Sequence, residues 1–452
     1  MKIIIAGAGD VGAHLAKMLS NEKHNIVLID TNEDRLKEVN VNLDLTTFHG
    51  SATSINKLLG VGIAHADLFI SVTNSEETNI TSAILGKKLG ARKCLARIDN
   101  LEYLEEDNKE YFSQLGIDYM FYPELLAANE IVNLVQQTGT TDIMNFAGGK
   151  LFLYVMHMDQ DAPALNNSLN EFHNLSKDPE YKVVAINRCN ETFLPKDEDK
   201  LTDNDLVYII TTEKGINLLM KYFGKKQVNI KNVMILGGSR IGRNAARQLA
   251  RGHTVKLIEQ DRTKSYDLSN ELFGVLVING DGRNIDMMNV EGLTNMDAFI
   301  AVTGNSETNM ITCLLAKRMG VKKAIAEVEN TDYIRLAENM GIDTIINKKI
   351  ITASKIFGFT MADEVSSVKC LTDSDAEVME FVAKPESKIT SGKLKEVGFP
   401  ADAVIGGIVR GKNTIVPDED TEIRPFDRVV VFAMPTAINK VGKFFTSSDR
   451  FF

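Results

Sequence analysis

Gly7, Gly9 and Gly12 follow a short apolar run in "KIIIAGAGDVG", and Asp30 closes the next one, "IVLID". Each residue type suits one task. Gly7 permits a tight turn, Gly9 lets backbone approach a pyrophosphate, and Gly12 lets a following helix pack close to the strand. The first residues of that helix, Asp10 and Val11, would present free N–H groups to the phosphates, and Asp30 would hydrogen-bond ribose hydroxyls. The chemistry indicated is adenine-nucleotide binding. A glycine turn of structural use alone is the alternative that the motif by itself leaves open.

A second loop, "GGSRIG", carries Gly237, Ser239, Arg240, Ile241 and Gly242, and Glu259 ends the strand-like "VKLIE" after it. Ser239 stands where Gly9 stands and puts a small side chain at the phosphate approach. Arg240 stands where Asp10 stands. A carboxylate there should repel a phosphate chain and a guanidinium should attract one. The first loop is therefore expected to prefer NAD(H) or ADP, and the second ATP-like ligands. Further candidates fall at other strand ends, where open α/β sheets bind ligands. They are Ser51 and Ala52 in "FHGSATS", Asp281 in "INGDGRN", Thr73 and Asn74 in "SVTNSEETN", and Thr303 in "AVTGNSETN". Thr73, Asn74, Glu77 and Asn79 would equally make a helix N-cap with an acidic first turn. Arg97 could pair with a phosphate or with a carboxylate, and Glu327 holds its place in the second half.

The elements that must position these residues come twice. Gly7 and Gly237, Asp67 and Asp297, Thr73 and Thr303, and Gly90 and Gly320 all lie 230 positions apart. A constant register over about ninety residues marks a duplicated unit. Gly116 and Gly341 are 225 apart, so the first copy holds a short insertion near "EEDNKEYF". The tails match too: Arg188 with Arg410, Pro195 with Pro417, and Asp205 with Asp427.

Strands are expected at 2–6, 26–29, 45–49, 67–72, 94–98 and 118–122, with helical patterns between them, which implies parallel β-α-β units. The predicted fold is α/β: two Rossmann-like, doubly wound parallel-sheet domains, each followed by a small α+β module with short β-branched runs and one late helix. The expected boundaries are 1–123 for the first nucleotide-binding domain, 124–140 for a crossover helix, and 141–224 for the first small module. They continue with 231–347 for the second nucleotide-binding domain, 348–360 for a connecting helix, and 361–446 for the second small module.

Composition narrows the function. The 452 residues are 44% apolar with a net charge of −10, which argues against nucleic acid as a partner. No apolar run is long enough to span a membrane, and no signal-peptide pattern opens the chain. The four cysteines are scattered, without metal or disulfide spacing. A dehydrogenase needs a proton-transfer group beside its cofactor, yet the small modules hold only His157 and His173, in no recognisable constellation. The acidic runs "KDEDKLTDND" and "DEDTEIRPFD" read as solvated turns.

The tandem order, the loops "GAGDVG" and "GGSRIG", the pair "ADLFISVTNSEETN" and "DAFIAVTGNSETN", "ARIDNLEY" and "GIDYMFYPELLAANEI" resemble the TrkA family. These are the cytosolic regulatory subunits of bacterial and archaeal Trk potassium-uptake systems, built from RCK (also KTN) domains, and the resemblance covers 1–446. It implies a protein that is not an enzyme, binds NAD(H), ATP or ADP, and assembles as a homo-oligomeric ring, most simply a tetramer. It further implies a cytoplasmic location, peripheral to the inner face of the membrane, and a TrkH-like integral membrane potassium-transport subunit as partner. Regulation of another cation channel or antiporter is the alternative; an NAD-dependent oxidoreductase fits far less well. The chain departs from the family's Gly-Asp-Ala/Gly element at Gly50-Ser51-Ala52 and keeps it at Gly280-Asp281-Gly282.

Overall fold

The run KIIIA forms β1 (Lys2–Ala6), four of whose residues are buried in succession, as in a strand covered on both faces. The computed structural model describes residues 1–452 apart from 21–23, 43–44, 137–141, 175–179, 190, 226–228, 358, 360–364, 371–375 and 447–452. Parts of both linking helices, of the joint at 224–230 and of the C-terminal tail thus lie outside the described residues.

β1 pairs in parallel with β2 (Asn25–Asp30) and β4 (Leu68–Ser71). With β3 (Thr46–His49), β5 (Lys93–Arg97) and β6 (Tyr119–Phe121), the sheet order is β3-β2-β1-β4-β5-β6. The order reverses between β1 and β4, which places the glycine turn after β1 at the topological switch point. The intervening helices are α1 (Asp10–Ser20), α2 (Glu33–Asn42), α3 (Ile55–Gly60), α4 (Glu76–Lys88) and α5 (Glu106–Gln114). Ile4, Phe69, Cys94 and Tyr122 belong to one apolar layer under the sheet. α6 (Pro123–Gln136) leaves this unit.

The first small module has β7 (Asp142–Phe146), β8 (Leu151–His157), α7 (Leu169–Asn174), β9 (Tyr181–Arg188), β10 (Glu191–Phe193), β11 (Leu206–Thr212) and α8 (Ile216–Tyr222). The parallel sheet then recurs as β12 (Asn232–Leu236), β13 (Thr254–Glu259), β14 (Val275–Asn279), β15 (Ala298–Ala301), β16 (Lys323–Glu327) and β17 (Thr344–Ile346). Its order is β14-β13-β12-β15-β16-β17, the same winding. Its helices are α9 (Arg240–Leu249), α10 (Arg262–Glu271), α11 (Ile285–Val290), α12 (Ser306–Arg318), α13 (Ile334–Asn339) and α14 (Lys348–Phe357). The last module has β18 (Val365–Cys370), β19 (Glu377–Val382), α15 (Leu394–Val397), β20 (Ala403–Arg410), β21 (Asn413–Ile415), β22 (Arg428–Ala433) and α16 (Ile438–Phe445).

Each small module carries an early short helix, α7 or α15, besides the late one expected. α7 is set by a reciprocal cap: Ser168 N donates to Glu171 Oε2 (2.8 Å) and Glu171 N to Ser168 Oγ (3.2 Å). The two antiparallel sheets share one apolar layer that includes Leu151, Ile210, Val378 and Phe432. Their approach needs glycine, since a Cβ at Gly406 would lie 2.1 Å from Ile210 Cδ1. The acidic runs are exposed turns at 196–198 and 418–420, as read from the sequence, but each ends in a buried structural residue. Asp205 (0% exposed) takes Arg188 Nε and Nη2 at 2.7 and 2.8 Å, and Asp427 takes Arg410 in the same way.

The chain divides into two compact units: Met1–Ala127 with Lys348–Thr360, and Ala128–Asn347 with Met361–Phe452. In the first, α14 lies along α1 and Phe359 meets the Tyr119 ring at 4.5 Å. In the second, Asn129 of α6 accepts from Gln248 Nε2 at 2.8 Å, and buried Lys323 donates to the Leu134 carbonyl at 2.8 Å. The helix that follows each parallel sheet therefore helps complete the unit built on the other one.

Candidate functional site

Gly7 and Gly12 are fixed by packing. Gly7 has φ 113°, its N–H donates to Ile29 O at 2.8 Å, and a Cβ there would lie 2.9 Å from Val72 and Thr73 backbone. A Cβ at Gly12 would meet Gly7 O at 1.8 Å. Gly9 differs: nothing lies within 4 Å of its Cβ position. Beside the N-terminus of α1 the loop thus keeps an open space that a pyrophosphate could fill. Asp30 pins the loop, accepting from Ala8 N (2.6 Å) and Asn32 N (2.7 Å). A carboxylate has about four acceptor sites, so capacity for ribose hydroxyls remains. Val11 is buried. Asp10 is exposed and ion-paired, with Lys349 Nζ 3.4 Å from its Oδ2. The expected repulsion of phosphates by Asp10 is thus offset by a neighbouring cation.

At the end of β4 the helix cap is Ser75, whose Oγ accepts from Thr78 N at 3.1 Å. It is none of the four residues considered from the sequence. Asn79, 1% exposed, works as a clamp: Oδ1 accepts from Thr73 N (2.8 Å) and Thr73 Oγ1 (2.7 Å), and Nδ2 donates to Thr73 O and Arg97 O. Asn74 is exposed on this loop. Thr303 and Asn309 repeat the clamp in the second copy. Arg97 lies 3.4 Å from Asp99 and 3.7 Å from Glu124, so of its two sequence-level options the carboxylate pair is formed. Ser51 Oγ is spent on Thr53 Oγ1 at 2.8 Å, and Ala52 belongs to the core.

The second loop borders a cleft of about 460 Å³ that brings together Gly237, Ser239, Glu259, Asp281 and Thr303. This volume is within the usual range for small-ligand sites. Ile241 is buried, and Gly242 gives its N–H to Ser239 Oγ (3.2 Å), so the serine caps α9 with its own hydroxyl. Arg240 is exposed and lies outside the lining. The cations that do line the cleft, Lys264 and Arg283, escaped the sequence reading. Lys264 Nζ is 2.8 Å from Glu259 Oε2 and Arg283 Nη2 is 2.8 Å from Asp281 Oδ2. Burial works against the Glu259 charge, but Lys264 and the N–H groups of Asp261 and Gly238 hold the carboxyl below its usual range. The Arg283 hydrogen bonds lower Asp281 likewise. One signal was available: Lys264 falls in the first turn of the helix that Asp261 caps, just past the acidic strand end. Among the described residues, no group of three or more His, Cys, Asp or Glu is placed to hold a metal ion, and no helix is long and apolar enough to cross a membrane.

The TrkA-N domain model matches residues 3–123 and 233–348, and the TrkA-C domain model matches 378–446. The chain is 31% identical over 448 residues to the Trk system potassium uptake protein TrkA homolog of Archaeoglobus fulgidus, covering 98% of this chain and 100% of the relative. It is 31% identical over 437 residues to the Trk system potassium uptake protein TrkA of Vibrio alginolyticus, with 96% and 95% covered. Among solved structures, the GsuK channel aligns with a TM-score of 0.61 at 16% identity, over 98% of this chain and 78% of that one. The GsuK RCK domain aligns at 0.60 and 16% identity, over 98% and 94%. These two likenesses bear on the fold.

Proposed function

The chain belongs to the TrkA family, and from that premise we propose that it is the nucleotide-responsive regulatory subunit of a membrane potassium-uptake system. The observation that carries this reading is the first glycine loop. Gly7 and Gly12 are locked by backbone contacts while Gly9 faces open space beside a helix N-terminus. Such a loop suits the pyrophosphate of NAD(H) or the phosphates of ATP and ADP. Relatives bearing the name Trk system potassium uptake protein TrkA support potassium transport as the context, and a GsuK channel structure described as bound to NAD supports the ligand class.

In this reading 1–123 and 231–347 are the nucleotide-binding domains, and 141–224 and 361–446 are the small modules after them. The protein binds nucleotides without turning them over, sits at the cytoplasmic face of the membrane, and docks as a homo-oligomer on a TrkH-like pore subunit. Ligand drives the pore only by binding two conformations of the assembly with different affinity, because equal affinity shifts no equilibrium.

The test is reconstitution with the pore subunit in potassium-loaded vesicles. Flux should change with ATP, ADP or NADH, and should lose that response when Gly9 is replaced by valine. Flux indifferent to every nucleotide, or sustained substrate-dependent hydride transfer by the isolated chain, overturns the reading.

A further inference from the structure

We propose that Lys349 is a phosphate-sensing residue of the first glycine loop, exchanging the Asp10 carboxylate for the terminal phosphates of a bound adenine nucleotide and so tying α14 to the occupancy of that loop. The proposal rests on the first loop being a nucleotide site.

The geometry places a cation beside the first residue of α1, the helix end at which phosphates are expected. Asp10 is the first residue of α1, at the end where helical N–H groups emerge. Lys349 is the second residue of α14, which packs along α1 within the same compact unit. Its side chain is 18% exposed and that of Asp10 is 69% exposed. The lysine stem is therefore held by packing and delivers its ammonium to a fixed place, while the carboxylate stands in water. His14, one turn into α1, is held below its usual value by burial first and then by Lys17 and Lys349, which sets the Lys349 charge near this stretch of the helix.

The duplication supplies an internal control. The 225-residue register sets Lys348 and Lys349 against Pro123 and Glu124. Proline followed by an acid is the start that helix energetics favour. Two lysines with no acid in the first turn are not, because cations oppose the dipole there. The second copy thus departs from a good helix start in the direction that attracts anions.

The exchange is easy in energetic terms. An ion pair with an exposed carboxylate contributes little, whereas a phosphate brings more charge and shorter, charge-assisted hydrogen bonds. The ligand class is an adenine mononucleotide with a terminal di- or triphosphate. On this basis the first loop favours ATP over ADP over AMP, and the offset Asp10 charge does not exclude polyphosphates.

The experiment is calorimetric titration of the full chain with ATP, ADP and AMP at fixed salt, the heat lost on Gly9→Val defining the first site. Lys349→Met should weaken ATP there by about tenfold and AMP by less than about twofold. It should also flatten the dependence of ATP affinity on salt. Asp10→Asn should tighten ATP severalfold. ATP should slow amide exchange across 348–357 in the parent chain and not in Lys349→Met. Parent-like ATP affinity in a folded Lys349→Met overturns the inference and leaves nucleotide binding standing. No Gly9-dependent heat with any nucleotide in the parent chain overturns the site itself. If Lys349→Met does not fold, Asp10→Asn decides: tighter ATP supports the exchange, and unchanged ATP affinity overturns it.

Discussion

A Cβ atom on Gly12 would lie 1.8 Å from the carbonyl oxygen of Gly7. No side-chain rearrangement relieves that overlap, because the oxygen is backbone of the loop after β1 and Gly12 is fixed within α1. Gly12→Ala should therefore destabilise the first parallel-sheet domain by about 3 kcal/mol or more, read as a lowered melting temperature. Gly242→Ala, 2.0 Å from Gly237 O, should do the same in the second. Melting unchanged in both variants is incompatible with this loop geometry.

Gly9 should behave in the opposite way. Its φ is not among the left-handed glycines and its Cβ position is open. Gly9→Val should keep the parent circular dichroism and melting temperature while abolishing nucleotide binding at the first loop, because the added methyls fill the pyrophosphate space. Titration of the folded variant checks it; retained affinity for every nucleotide would make the loop purely structural.

Ser239→Gly should improve the second cleft. The serine hydroxyl occupies Gly242 N–H at 3.2 Å, and removing it frees a donor at the α9 N-terminus. Exchanging a serine cap for glycine costs only a few tenths of a kcal/mol, roughly. Phosphate-bearing nucleotides should then bind the second cleft severalfold more tightly, measured in a Gly9→Val background so that one site is read. Weaker binding would mean that the Ser239 hydroxyl itself contacts ligand.

Acid should erase one specific contribution. Burial opposes the charge of Asp297, yet Lys322 Nζ (2.8 Å) and the N–H groups of Asn232 and Lys231 hold its carboxyl at about 2, down from 3.8. A depressed carboxylate stabilises the fold above its unfolded value and loses that contribution as pH falls through the folded one. The melting gap between the parent and Asp297→Asn should thus be full above about pH 5 and shrink from 3.8 toward about 2. A gap that is constant over this range would assign the effect to packing.

Local chemistry made much of this molecule legible. Runs such as KIIIA and NIVLID announce buried parallel strands, and Gly7, Gly12 and Asp30 announce the turn between them. The 230-residue register carries the same pattern over to the second sheet. What stayed hidden depends on contacts remote in sequence or on fine competition between similar groups. Ser75 takes the α4 cap in place of its neighbours because the Thr73 hydroxyl and backbone are already engaged with Asn79. Lys264 and Arg283 line the second cleft through pairs only five and two residues apart, with Glu259 and Asp281, where cation and acid compete for one another as much as for a ligand. Asp205 and Asp427 looked like members of hydrated acidic turns, and only the paired arginines across the sheet reveal why they are buried. The Asp10–Lys349 pair needs the exchanged helix, which no local pattern encodes.

That exchange has a consequence for the chain as a covalent object. Severing it in the joint at 224–230 would leave two half-polypeptides, each with its own glycine loop and each lacking a helix on which its parallel sheet depends, since α14 packs on α1 and α6 reaches Gln248 and Lys323. Neither fragment would be self-sufficient, but mixed together they hold a full complement of parts. The joint therefore serves as a tether that keeps two reciprocal fragments at high effective concentration, so that a change in either helix is felt by the sheet of the other copy.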